Sequence, residues 1–264
     1  MKEENENIEL KEMSNLEDKL IGKQVKKEDI YTKFSPNDKK GLVIKVGEDS
    51  YERFPIKLPL IMSGDNIYEI INEHVRDFIE EDDMIYVSEK IVAISQGRAF
   101  KISDIKPSRL ANFLYKFVHK SDAGIGLGSP YTMELAIREL GRIRILFAAA
   151  IAAITKPFGI KGAFYVICGP KAQAIDGPCS YTIPPYNNYA KMAPKDPDKV
   201  AKKLQEITKA KAAVVIDAND IGVNVLGKSD KKLNNKILAA IFKDNPLGQT
   251  NEQTPLAIVR KVKK

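Results

Sequence analysis

The chain has two cysteines and two histidines in 264 residues. Two thiols cannot make a disulfide framework, so the fold has to close on its own hydrophobic core, and a reducing cytoplasm is the expected compartment. Two histidines leave little for a histidine-based metal site or triad. His74 and His119 both fall in helical patterns among polar neighbours and are read as surface residues. Cys179 has no histidine beside it in sequence, which argues against a thiolate nucleophile. Long apolar runs are also missing. The longest, ILFAAAIAAI at 145–154, stops at Thr155, Lys156 and Pro157, short of the roughly 20 residues a bilayer span needs. It is read as a core helix, so no stable membrane insertion is expected; the apolar stretch at 160–169 keeps a membrane-associated segment as the alternative. The opening MKEENENIELKEM is too polar for a secretory leader. No periodic repeat and no low-complexity linker divides the chain.

What is present is an ordinary globular composition, 44% hydrophobic and 29% charged, with 42 basic against 35 acidic residues for a net charge of +7. The lysines are scattered and never interleave with aromatics, which removes a nucleic-acid surface and leaves a positive field suited to small anionic substrates. Residues 1–38 are dense in Lys, Glu, Asp and Asn and read as a mobile charged arm; residues 39–264 read as one folded domain.

Strand patterns occur at GLVIKVG (41–47), at DMIYVSEKIVAIS (83–95), at KGAFYVICG (161–169), in AAVVID (212–217) and at TPLAIVRK (254–261). Helical spacing appears at NIYEIINEHVRDFI (66–79), where Gly64-Asp65-Asn66 offers a cap, and at SRLANFLYKFVHK (108–120). It appears again at PDKVAKKLQEITK (197–209) and around 233–242. Strands and helices alternate loosely, which predicts an α+β fold.

Two acids follow predicted strands: Asp176, in AIDGP, and Asp217, in VVIDAND. Hard divalent ions take carboxylate oxygens completed by water and phosphate, so such a pair suits Mg²⁺ or Mn²⁺. The plainer alternative is that these acids only shape turns. GIGLGS at 124–129 lacks the Gly-Lys-Ser/Thr ending of a phosphate loop and reads better as a turn. The polar loop before the last strand, with Gln249, Asn251, Glu252 and Gln253, offers further oxygen donors or is merely solvated.

Four separated segments carry a resemblance: LPLIMSGDNIYEII (58–71), DDMIYVSEKIVAISQGR (82–98), AIDGP with PKDPDKVAKKL, and VVIDAND with LGQTNEQTPLAIVRK. The chain resembles the coenzyme F-420 γ-glutamyl ligases, which use GTP and a divalent metal to join glutamate to a deazaflavin precursor. The resemblance implies nucleotide-binding roles for Leu58, Pro59, Leu60, Ile61, Glu89, Lys90, Gly248, Gln249 and Thr250. It implies metal ligation, by Mg²⁺ or Mn²⁺, at Asp176, Asp217 and Gln249, and an intertwined homodimer. Three positions depart from the family's pattern. Ile94 stands where the family has a nucleotide-contacting lysine, Cys179 replaces an asparagine, and Ala218 replaces a threonine. The segment between Asp220 and Gly248 is also short where the family has a substrate-facing insertion.

The function expected from the resemblance is a GTP- or ATP-dependent ligase that forms an amide bond between a small carboxylate acceptor and an amino acid such as L-glutamate, through an acyl phosphate. A ligase for another acceptor, such as a folate, and a nucleotide-binding protein of the same fold without turnover are the alternatives.

Overall fold

The computed structural model of the protein describes residues 29–118, 126–160, 162–219, 222–248 and 250–263. Its centre is a six-stranded sheet built from β1 (Val43–Val46), β2 (Asp49–Ile56), β3 (Met84–Ser88), β6 (Ala212–Ala218), β7 (Val223–Lys228) and β8 (Leu256–Lys261). The spatial order is β1-β2-β8-β3-β6-β7. β3 and β6 are parallel neighbours, and the other pairings are antiparallel. A two-stranded ribbon, β4 (Ala99–Lys101) with β5 (Tyr189–Lys191), lies apart from it.

Successive strand side chains point to opposite faces, and both faces of this sheet are covered. Ile85, Val87, Ala213, Val215 and Ile258 join one core with α2 (Ile67–Val75), α3 (Glu89–Ser95) and α9 (Pro197–Thr208). Tyr86, Val214, Ile216, Ala257 and Val259 join a second core with α10 (Asn235–Ile241), where Tyr86 stacks on Phe242 at 4.1 Å between ring centroids. Each fully buried Ile, Leu or Val contributes about 1.5–3 kcal/mol relative to exposure. The crossover between the parallel strands carries a third core, a helical unit of α4 (Arg109–Leu114), α5 (Pro130–Leu140), α6 (Arg142–Thr155), α7 (Ala163–Cys168) and α8 (Pro170–Gln173). The sequence therefore makes an α+β fold, as expected. Residues 1–28 of the expected arm lie outside the described residues, as do His119, Asp220 and Gln249. Residues 30–33 form a short helix, α1 (Ile30–Lys33), whose Ile30 is buried in the first core and whose Tyr31 hydroxyl donates to Glu52 at 2.8 Å.

Five local expectations are corrected. The strand read over 83–95 stops at Ser88 and continues as α3, because the Ser88 hydroxyl accepts the Lys90 N–H at 3.3 Å and caps a helix. The strand read over 161–169 is, among the described residues, α7, bounded by Gly162 and Gly169 at φ 81° and 80° and packed in the helical unit. The apolar stretch 145–154 is helical but is no core helix: α6 buries Ile145 and Ala148 and leaves Ile143 86% and Ile154 62% exposed. The helix read over 108–120 is α4 alone, followed by a 3₁₀ turn, with Phe113 and Phe117 on the surface. At the start of α2 no side chain caps the helix; Asp65 instead accepts the Met62 N–H at 2.7 Å and closes the preceding turn.

Candidate active site

The parallel register Ser88↔Ile216 sets Glu89 and Asp217 side by side, one residue further along at the carboxyl ends of β3 and β6. Open sheets place ligands at such ends. Asp176 arrives from a different direction, after α8. Its backbone pairs with Lys191 of β5 through Asp176 N–H to Lys191 O at 3.1 Å and the return bond at 2.9 Å. Lys191 is buried; its ammonium is paired with the Glu89 carboxylate and donates to the Ala174 carbonyl at 3.0 Å.

Burial and mutual charge set the protonation of this group. Burial pushes the Glu89 carboxyl up to about 7, against the pull of Lys191, and the charge of Asp217 adds to the rise. The Asp217 carboxyl is likewise raised, first by burial and then by Asp176, with Lys191 and Lys90 opposing. Burial works to strip the Lys191 proton, but Glu89, Asp176 and Asp217 outweigh it and hold the ammonium above its ordinary range. Beside this cluster opens a cleft lined by Lys90, Ile94, Asp176, Thr182, Tyr186, Tyr189 and Lys191 among others.

The other nominated segments abut the same region. Pro255, at the end of the loop holding Gly248 and Thr250, accepts the Ser88 N–H at 2.8 Å. Within that loop Glu252 accepts the Thr250 N–H at 2.7 Å, and Gly248 sits at φ 77° where a Cβ would meet Glu252 at 2.4 Å. In the LPLI segment the Leu58 carbonyl takes the Gln253 amide at 2.8 Å. Leu58 and Ile61 point into the core while Pro59 and Leu60 face solvent, so these two carry the exposed surface of that segment. Glu89 is buried against Lys191 and reaches the cleft through it.

In VVIDAND, Asp217 faces the cluster, whereas Asn219 closes a turn: its N–H donates to the Gly222 carbonyl and its side-chain Oδ1 accepts the Gly222 N–H, both at 3.0 Å. The described end of GIGLGS serves a helix: Ser129 and Thr132 form a reciprocal capping box on α5. Among the described residues no three His, Cys, Asp or Glu side chains gather as a ready metal cage, and Gln249 lies outside them. Two carboxylates are what a hard, water- and phosphate-completed ion requires, so Asp176 and Asp217 fit such a site. Among the described residues Glu89 Oε2 is buried with no hydrogen-bond partner.

Lys191, Thr182, Tyr186 and Tyr189 are the cleft residues that the sequence reading missed. YAKMAP shows only an isolated lysine among small and apolar residues, and its burial follows from Glu89, about 100 positions away in sequence. Ile94 does line the cleft, so its departure from the family pattern falls where a ligand would lie.

The α+β fold thus carries a lysine–carboxylate cluster at the ends of its parallel strands. Residues 55–231 match the family described as F420-0:Gamma-glutamyl ligase, well over half of the chain, and the protein belongs to that family of amide-bond-forming ligases. A search among curated proteins gives no match. Among the described residues no helix is long and apolar enough to cross a membrane.

Proposed function

We propose that this protein is a nucleotide- and metal-dependent ligase that joins a small carboxylate to an amino acid such as L-glutamate. The observation that supports this most is that Lys90 and Asp176 line one cleft and Asp217 lies in the charge cluster beside it, from three separate parts of a chain of this family. A substrate carboxylate oxygen attacks the γ-phosphorus of GTP or ATP, the bond to the β-phosphate breaks, and a nucleoside diphosphate leaves. The amine then attacks the acyl phosphate, its nitrogen loses a proton, and phosphate departs as the amide forms. Such transfers ask mainly for positioning and charge neutralisation.

Asp176 and Asp217 would hold Mg²⁺ or Mn²⁺, which supplies Lewis-acid neutralisation of phosphate oxygens when bound. Lys90 adds a cation at the cleft wall, which Tyr186 and Tyr189, edge to face at 5.2 Å, also line. The loop at Gly248 and Thr250, with Gln249, and the exposed Pro59 and Leu60 border the nucleotide. The acceptor is F-420-like or another small carboxylate, such as a folate. The compartment proposed is the cytoplasm, in keeping with two unpaired cysteines. Residues 39–264 would act as one catalytic domain.

A melt with GTP or ATP, each with and without Mn²⁺ or Mg²⁺, tests this. A ligand at 100 times its Kd stabilises by roughly 2.7 kcal/mol. The expected shift needs metal and nucleotide together and vanishes in Asp176→Asn/Asp217→Asn. Ligation that survives Asp217→Asn would sink the assignment. Binding without product in an acceptor screen would instead favour a regulator that lost turnover, the reading that Ile94 on the cleft wall supports.

A further inference from the structure

We propose that Lys191 is an oxyanion-binding residue of the cleft, aligned by Glu89, and that it holds a phosphoryl oxygen of the nucleoside triphosphate. The inference rests on the ligase reading and adds to it a residue that no comparison assigns.

An ammonium carries three N–H donors in a tetrahedral array. Lys191 uses one on Glu89 Oε1 and one on the Ala174 carbonyl at 3.0 Å; among the described residues the third has no acceptor. The same side chain lines the cleft. Glu89 and Ala174 therefore fix the ammonium while leaving one N–H for a ligand.

The pair also makes poor sense as a purely structural feature. Burying two opposite charges is often no more stabilising than burying apolar side chains of the same volume. Among the described residues Glu89 Oε2 is buried without a hydrogen-bond partner. A pair that is costly, incompletely bonded and placed at a cleft wall is arranged for something other than stability.

The charged groups at the cleft wall are Lys90 and Lys191 against Asp176, which accepts the Gly177 N–H at 2.9 Å, with the buried Glu89 and Asp217 close to Lys191. Thr182, Tyr186 and Tyr189 add polar tips on the same wall. Ile94 brings no charge. Lys191 thus supplies part of the positive charge that phosphate oxygens need there before any metal is bound, and it comes from β5 rather than from α3.

The test is calorimetric binding to the full chain in low salt with EDTA, using GTP, ATP and, separately, L-glutamate. Wild type is expected to bind triphosphate without divalent metal. The double variant Glu89→Gln/Lys191→Met, which replaces the pair without stranding either charge, is expected to bind about 10- to 100-fold more weakly. Its unliganded melting temperature should stay near wild type, and Lys191→Arg should keep most of the affinity. Should the double variant not fold, Glu89→Gln alone decides, with an expected loss of about 3- to 10-fold. Equal affinity in the deciding variant overturns the proposal, and so does a Lys191 dependence seen for L-glutamate but not for triphosphate. Wild-type binding that appears only after Mn²⁺ is added removes the role of Lys191 and leaves the ligase reading standing; no binding even with Mn²⁺ overturns both.

Discussion

Arg53 is almost completely removed from water, at 1% exposure, although it lies on a strand of the central sheet. Its guanidinium is paired with the Asp244 carboxylate and donates to the Ile241 carbonyl at 3.0 Å and the Gly41 carbonyl at 2.7 Å, with Nε left unpartnered. Asp244→Asn removes the charge opposite a buried cation. Breaking a buried pair costs about 3–5 kcal/mol, and the partial exposure of Asp244 moves the expectation to about 2–3 kcal/mol in a denaturant titration. Burial raises the Asp244 carboxyl, but the Arg53 hydrogen bond and charge outweigh it and hold the group below its ordinary 3.8. A depressed folded value stabilises above the unfolded one. The difference between wild type and Asp244→Asn should therefore be full above about pH 5 and shrink as pH falls through 4 and below, read from melts across that range.

Among the secondary-structure elements, α9 lies so close to β7 that one contact has no room for a side chain. A Cβ on Gly227 would lie 2.3 Å from the Pro197 carbonyl carbon and 2.7 Å from the Asp198 nitrogen, both backbone atoms. Gly227→Ala must push the helix off the sheet and is expected to cost roughly 1–3 kcal/mol or more. Gly222→Ala, with nothing within 4 Å of its Cβ, is the near-neutral control. Both are read as shifts in the chemical midpoint. At this scale α2, α9, α10, β1, β6 and β8 were legible, because apolar residues recur at the period of one buried face. Residues 89–95 and 163–168 were not. Ile91, Val92 and Ile94 suit a strand or a buried helix equally, and the choice fell to the Ser88 cap in one segment and to neighbouring helices in the other.

For the molecule as a whole, the helical unit is covered on one side only. Ile143 and Val166 are 86% and 79% exposed, and Phe147 and Phe158 are also open. We propose that a second copy of the chain covers these side chains, in the homodimer that the resemblance implies. Sedimentation velocity at micromolar protein should show a dimer for wild type and a monomer with unchanged circular dichroism for Phe147→Glu. A monomeric wild type would remove the dimer.

Composition and periodicity alone determined an α+β fold, most of its core strands and helices, and Asp217 at the end of a buried strand, because burial patterns and strand-end acids are written locally. The family came instead from the resemblance of four separated segments, which the match over residues 55–231 bears out. Only the tertiary structure decided that Asp176 reaches the cluster from a loop after α8, that Leu58 and Ile61 are core rather than surface, and that the apolar stretch at 145–154 lies outward. Lys191 is the clearest case. Its role depends on Glu89, Ala174 and a cleft assembled from four chain segments, and electrostatic coupling in a buried site follows distance in space, which the order of residues does not record.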